Sequence, residues 1–187
     1  QGEVNIYWDD AAEYSRDVVT GYADFEGYKI YKSRDGGNTW GNPDDMIYDT
    51  DGIFAGWRPY RQYDLSAEED SLHCVYSRGF DCPEDSRRGH PINGQDPYFP
   101  WFSLGTDTGL DAIRLDEPVV INGDTMRYMF KDQNVTDGLE YTYSVVAYDM
   151  GVEPPFKETY ADIGGGQFEV VVDTNYSNPD QLSLIHI

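Results

Sequence analysis

The sequence predicts an all-β fold, a sandwich of antiparallel sheets, on three observations. Apolar and polar residues alternate in several segments, most clearly in Glu3 to Trp8 and Leu139 to Tyr148, and alternation is typical of half-buried strands. Asn122-Gly123 lies between two apolar runs, which is the strongest short signal for a β-hairpin. Aromatic residues make up 15% of the chain, and flat rings cover pleated surfaces well. No segment has the period of an amphipathic helix.

The same patterns place the individual strands. Predicted strands cover residues 3–8, 27–33, 118–121, 125–130, 139–148 and 167–172. Thr39 and Trp40 are expected to begin a returning strand after a glycine-rich turn. The side chains expected to form a shared structural core are Trp8, Tyr28, Ile30, Tyr141, Tyr143 and Val145.

Residues 42–115 break this regular pattern, being rich in Gly, Pro, Asp and aromatic residues. A structureless loop of that length is implausible in a compact domain. We therefore expect a long irregular insertion that lies against the sandwich and holds short strands or turns of its own. One domain is predicted over residues 1–173, followed by a tail at 174–187. The last six residues, 182–187, resemble a translated transposon end from a sequencing library, so we expect the natural protein to continue beyond them.

The charge balance excludes some partners. The chain has 13 basic and 35 acidic residues, a net charge of −22, and phosphate binding needs clustered Lys and Arg. We therefore expect no nucleic-acid partner. No apolar run approaches the ~20 residues of a membrane helix, so no membrane insertion is expected. The acidic surface indicates adaptation to salty water, with specific cation binding as the alternative.

Two cysteines, Cys74 and Cys82, lie close together. A disulfide between them would indicate an oxidising compartment and would stabilise the fold by roughly 2–3 kcal/mol. The alternative is a zinc site with His73 and His90. Paired zinc ligands usually lie two to four residues apart, so the wider spacing favours the disulfide.

Three segments resemble the fibronectin type III family. Glu3 to Trp8 resembles its strand B, and Gly27 to Tyr31 resembles strand C. Val135 to Tyr141 resembles the turn and tyrosine that open strand F. The resemblance implies an immunoglobulin-like sandwich in which the Tyr141 hydroxyl bonds to nearby backbone. Family domains have about a hundred residues, so this one would be enlarged between strands C and F.

A second resemblance concerns the setting of the domain. Asp24 to Tyr31, Thr39 to Gly41 and Leu104 to Leu110 are similar to segments of uncharacterised, modular secreted bacterial proteins. The resemblance implies a secreted, extracellular or cell-surface location. It also implies neighbouring domains of the same chain as partners.

Ser33 to Trp40 fits the Asp-box pattern S-x-D-x-G-x-T-W at every fixed position. Asp-boxes recur in sialidases and other β-propellers, once per blade, as hairpins whose Asp holds the turn while the Trp packs beneath it. A single copy favours a structural hairpin over a sialidase.

An acidic cluster gives one candidate metal site. Asp44, Asp45, Asp49 and Asp51 could offer oxygen ligands to calcium. They lack the spacing of an EF-hand loop. We expect no cofactor, with calcium at this cluster as the alternative.

No motif for nucleophilic catalysis or for a phosphate-binding loop is present. We therefore expect no enzyme, but a non-catalytic structural or binding module of a larger extracellular protein. The alternative is a carbohydrate-binding module or an accessory domain of a glycoside-degrading enzyme. The candidate sugar-stacking residues are Trp57, Tyr60, Tyr98 and Trp101, which could instead pack the insertion onto the sheet. The expected external partner is a glycan or another surface protein.

Overall fold

The computed structural model describes residues 2–16, 22–75, 92–95, 102–150, 157–165 and 167–173. Strands dominate these residues, and the all-β prediction is confirmed. In chain order the elements are β1 (Val4–Trp8), β2 (Phe25–Ser33), β3 (Met46–Tyr48), β4 (Phe54–Trp57), β5 (Arg61–Asp64), α1 (Ala67–Leu72), β6 (Gly94–Gln95), β7 (Ser103–Gly105), β8 (Arg114–Ile121), β9 (Asp124–Asp132), β10 (Thr142–Asp149), β11 (Lys157–Gly164) and β12 (Gln167–Asp173).

The first sheet has the strand order β1-β9-β8, with antiparallel pairing throughout. Strands β8 and β9 form the predicted hairpin, in which Ile121 lies opposite Asp124. The two turn residues, Asn122 and Gly123, have φ angles of 54° and 99°. A two-residue turn of this kind requires positive φ at both positions, which explains the Asn-Gly pair.

The second sheet has the order β10-β2-β5. Val145 lies opposite Ile30, which confirms that these two distant stretches share one sheet. On the other side of β2, Tyr63 of β5 lies opposite Tyr28. Strand β5 falls within residues 42–115, so this segment contributes a strand to the main sheet as well as lying against it.

The two sheets meet in an aromatic core. The Tyr28 ring centroid is 5.5 Å from that of Trp8 and 5.3 Å from that of Tyr128. Trp8 itself is half-buried and stacks on Tyr128 at 5.7 Å. Such ring pairs contribute about 0.5–1.5 kcal/mol beyond their buried area. The inserted segment also adds apolar side chains to this core, namely Leu65, Val75, Ile92, Leu104, Leu110 and Ile113.

Two local features differ from prediction. Helix α1 was not expected. It begins with a capping box, in which the Glu69 N–H donates to Ser66 Oγ and the Ser66 N–H donates to Glu69 Oε2. Thr39 and Trp40 do not begin a strand. The Thr39 N–H donates to Asp35 Oδ1 at 2.9 Å, so it is engaged by the turn rather than by the β2 ladder.

Three smaller antiparallel pairs complete the described fold: β3 with β4, β6 with β7, and β11 with β12. The last strand was predicted and its partner β11 was not. The tail at 174–187 lies outside the described residues. None of the helices in the described ranges has the length and apolar character that crossing a membrane requires.

Candidate functional site

The outer face of the second sheet, which points away from the core, positions the candidate site. Side chains alternate along a strand, so Tyr28 and Ile30 face the core while Lys29 and Tyr31 of β2 face outward. On β10, Ser144 lies opposite Tyr31, and Val146, the next outward residue along that strand, lies opposite Lys29. Two neighbouring strands therefore present one continuous outer surface.

A cavity of about 410 Å³ lies on this surface, which we call the aromatic groove, and its walls include Tyr31, Trp40, Trp57 and Val146. All three rings are half-buried. Tyr31 and Trp40 are in edge-to-face contact, with centroids 6.4 Å apart. Trp57 is at the end of β4, where it contacts Phe54 at 5.6 Å. The groove therefore presents apolar ring surface within a cavity of the size that small-molecule sites have.

The Asp-box turn holds Trp40 in place. Asp35 accepts hydrogen bonds from the Ser33 hydroxyl at 2.7 Å, the Thr39 N–H at 2.9 Å and the Thr39 hydroxyl at 2.8 Å. These bonds lower the pKa of Asp35 to about 2, so the carboxylate stays charged. A Cβ on Gly37 would lie 3.4 Å from the Trp40 ring, which shows how closely the indole packs against the turn. The motif therefore holds a turn, and the strand that was expected to return beside β2 after it does not form.

The floor of the groove is polar. Lys29 Nζ lies 4.1 Å from the centroid of the Tyr148 ring, and both residues are buried. Burial lowers the pKa of Lys29 to about 8, and the negative charge of Asp64 only partly offsets this effect. The groove therefore combines ring walls with a buried amine at its base.

A second cavity, of about 370 Å³, adjoins the groove at Trp40, which lines both. We call it the cationic cleft because its lining includes Lys32, Arg34, Arg58 and Arg61. The only acidic residue on its wall in the described part of the chain is Asp45. In a protein with 35 acidic and 13 basic side chains, this local reversal of charge sets the cleft apart.

Lys32 is fully engaged at the base of the cleft. Its Nζ lies 2.7 Å from Asp132 Oδ2 and donates to the Asn134 carbonyl at 2.6 Å. Asp132 also accepts hydrogen bonds from the hydroxyls of Tyr143 at 2.7 Å and Tyr60 at 3.0 Å. Burial raises the pKa of Asp132, but Lys32 and these hydrogen bonds outweigh it and hold the pKa below its ordinary value. The charge of Lys32 is therefore compensated within the protein.

The arginines differ from Lys32. Arg34 and Arg58 are exposed, and neither forms an ion pair with a carboxylate of the described residues. The Arg58 N–H donates to the Asp45 carbonyl at 2.8 Å, which fixes the backbone there. Arg61 lies over the Tyr60 ring, 4.4 Å from its centroid. The cleft therefore has two guanidinium groups free to meet a ligand.

A cluster of buried carboxyl groups consists of Glu26, Asp64 and Asp70, all of which are 0% exposed. Asp64 is satisfied by donors that include Thr106 and Thr108. No donor in the described structure faces either oxygen of Glu26. Burial, followed by the charge of Asp70, raises the pKa of Glu26 to about 10, and burial raises that of Asp70 to about 6. Glu26 is therefore protonated at neutral pH and can donate to Asp70. Because the pair is closed off from solvent, a substrate would have no access to it.

The proposed calcium ligands have other roles in the structure. Asp45 Oδ2 accepts from the Asn42 N–H at 2.8 Å, and Asp49 Oδ1 accepts from the N–H groups of Asp51 and Ile53. Asp44 is exposed. Within the described ranges no three His, Cys, Asp or Glu side chains are arranged to hold a metal ion. Calcium binding therefore gains no support here and stays a prediction.

The predicted sugar-stacking residues are only partly brought together. Trp57 lines the groove, whereas Tyr60 lines the cleft and is tied to Asp132. Tyr98 and Trp101 lie outside the described residues.

Cys74 is completely buried, and its predicted partner Cys82 lies outside the described residues, as does His90. The disulfide stays a prediction.

Tyr141 accepts a hydrogen bond from the Thr136 N–H at 3.0 Å, the backbone contact that the fibronectin type III resemblance implies. Its ring lies 4.5 Å from Lys32 Nζ.

Comparison of the chain with protein-family models, curated proteins and solved structures finds no match in any of the three.

Proposed function

We propose that this domain is a non-catalytic carbohydrate-binding module and that a sugar ring stacks in the aromatic groove. The observation that carries the proposal is the convergence of Tyr31, Trp40 and Trp57 on one cavity of about 410 Å³. The C–H faces of a sugar ring pack on aromatic rings, and rings lose little side-chain entropy on binding. The rigid sheet and the Asp-box turn hold two of these rings before the ligand arrives, which reduces the cost of binding.

A glycan array followed by calorimetry tests this proposal. Trp57→Ala and Trp40→Ala should each weaken binding of a bound glycan by at least about tenfold, as expected for the loss of an aromatic anchor. Tyr14→Ala is the matched control, because Tyr14 is 45% exposed and does not line the groove. If no glycan binds, or if all three variants bind equally, the domain is a scaffold and the proposal fails.

The family and the location are part of the same proposal. The pairing of β2 with β10 and the bond from Thr136 to Tyr141 support a fibronectin type III-like module of a secreted, modular surface protein. An extracellular location requires the two cysteines to be oxidised. Because Cys74 is buried, the protein is denatured before thiol alkylation without reductant. Mass spectrometry should then find both Cys74 and Cys82 unmodified, and alkylation of either residue would count against this location.

A further inference from the structure

We propose that the cationic cleft binds the negatively charged group of an acidic sugar whose neighbouring ring lies in the aromatic groove. This inference rests on the function proposed above and specifies the substrate class of that site. The shared chemistry is an anionic oxygen cluster, either a carboxylate or a sulfate ester. Both have oxygens that the guanidinium fork of arginine matches in a bidentate way.

The local charge of the cleft is positive. Among the residues that the structure describes, four basic side chains and one acidic side chain line the cleft. Charges elsewhere on the surface act weakly on a ligand in the cleft, because the Debye length is about 8 Å at physiological salt. The net charge of −22 therefore does not prevent an anion from binding where the near charges are positive.

The basic side chains of the cleft differ in their availability. Lys32 is only 7% exposed and its charge is compensated by Asp132 at 2.7 Å. Arg34 and Arg58 are exposed and have no carboxylate partner among the described residues. Because both guanidinium groups are exposed, their donors are available to an anion. Their free donors make them the anion-binding residues.

The two cavities adjoin each other. Trp40 lines the groove on one side and the cleft on the other. Arg58 follows Trp57 directly in the chain, and these neighbours line different cavities. A ligand with a ring stacked against Trp40 therefore has its substituents within reach of the arginines. An acidic sugar has both features that this arrangement recognises.

The test uses matched pairs of glycans with the intact chain. Oligogalacturonate and its methyl ester differ in carboxylate charge and in one methyl group per ester, and dextran sulfate and dextran differ only in sulfate. We expect one charged member to bind at least about tenfold more tightly than its neutral counterpart, since hydrogen bonds to charged groups commonly have this effect. The pair that shows the difference identifies the anion.

Variants then assign the effect to the cleft. Arg34→Gln with Arg58→Gln should abolish the preference for the charged glycan. Arg127→Gln is the matched control, because Arg127 is also exposed but pairs with Asp10 on the first sheet, and it should keep the preference. Circular dichroism checks that each variant is folded.

Three results would overturn the inference. Equal binding of both members of each pair would mean that the cleft does not recognise charge, while the proposed sugar binding would stand. If Arg127→Gln lost the preference for the charged glycan to the same extent, basic side chains across the surface, and not those of the cleft in particular, would attract the glycan. Absence of binding to all four glycans would also refute the inference, and the neutral members of the glycan array would then decide the proposed function separately.

Discussion

Asp132 is the side chain whose replacement should damage the fold most clearly. It is 2% exposed on β9, and it binds Lys32 of β2 at 2.7 Å and the Tyr143 hydroxyl of β10 at 2.7 Å. The Tyr60 hydroxyl and the Asn134 N–H complete its hydrogen bonds at 3.0 and 2.9 Å. One carboxylate therefore connects the two sheets of the sandwich.

Asp132→Asn removes the negative charge and leaves the Lys32 ammonium buried. Breaking a buried pair in this way commonly costs about 3–5 kcal/mol, because the remaining charge has lost its compensation. Domains are stable by only about 5–15 kcal/mol, so the variant should lose a large part of its free energy of unfolding. Urea unfolding followed by tryptophan fluorescence measures this loss as a lower midpoint with an unchanged slope.

Two companion variants make the reasoning refutable. Tyr143→Phe removes one hydroxyl but keeps the ion pair, so it should cost less, about 1.5–3 kcal/mol for a hydrogen bond to a charged group. The double variant Lys32→Met with Asp132→Asn removes both charges, while the amide oxygen still accepts from the two tyrosine hydroxyls, so it should cost less than Asp132→Asn alone. A loss below about 1 kcal/mol in Asp132→Asn, or an equal loss in the double variant, would refute the argument.

The pH dependence has a defined sign. Burial raises the pKa of Asp132, but Lys32 and the hydrogen bonds that Asp132 accepts lower it by more. The pKa of Asp132 in the folded protein therefore lies below its value in the unfolded chain. A lowered carboxylate pKa contributes stability that is present above the unfolded pKa and is lost as the pH falls through the folded pKa. The difference between the wild type and Asp132→Asn should therefore be constant near pH 7 and should shrink in acid.

Three further substitutions have expected outcomes. Glu26 has a pKa raised to about 10, so its contribution to stability is complete below the unfolded pKa and is lost as the pH rises toward 10. The Glu26→Gln variant should therefore have a higher melting temperature than the wild type at pH 9 but not at pH 4. Parallel pH profiles of the two melting temperatures would contradict this. Gly27→Ala would place a Cβ against the Tyr63 carbonyl and 2.7 Å from the Asp64 Cα, so urea unfolding should show a free energy of unfolding lower by about 1–3 kcal/mol. An unchanged midpoint would mean that β2 and β5 can move apart at no cost. Asp35→Ala removes the acceptor of the Asp-box turn and should lower the melting temperature and change the near-ultraviolet dichroism of the tryptophans, whereas an unaltered spectrum would show that the turn holds without it.

The parts of the fold with local signals were predictable from the sequence. The β8–β9 hairpin follows from Asn122-Gly123, because only certain residues tolerate positive φ at both turn positions. The pairing of β2 with β10 followed from alternation together with the fibronectin type III resemblance. Strand β5 had no such signal. Its residues, Arg61–Asp64, do not alternate clearly between apolar and polar side chains, and its place beside β2 depends on tertiary contacts.

The candidate site was predictable only where a motif marked it. The aromatic residues near Trp57 in the sequence identified Trp57 as a candidate. The Asp-box marked Trp40 only as a structural residue that packs beneath the turn, and no signal marked Tyr31. The cleft could not be found in this way, because Arg34 and Arg58 are far apart in the chain and neither belongs to a spaced motif of basic residues. Their proximity results from the Asp-box turn and from the bond that fixes Arg58 to the Asp45 carbonyl.

The ion pair beneath the cleft links its stability to its charge. Asp132 compensates Lys32, so the potential that a ligand meets comes mainly from Arg34 and Arg58. Removing the carboxylate would destabilise the fold but would also leave the cleft more positive by about one charge. Asp132→Asn, measured where it is still folded, should therefore bind an acidic glycan more tightly than the wild type. If the folded Asp132→Asn variant bound the acidic glycan more weakly than the wild type, the cleft would not be the site that binds the charged group.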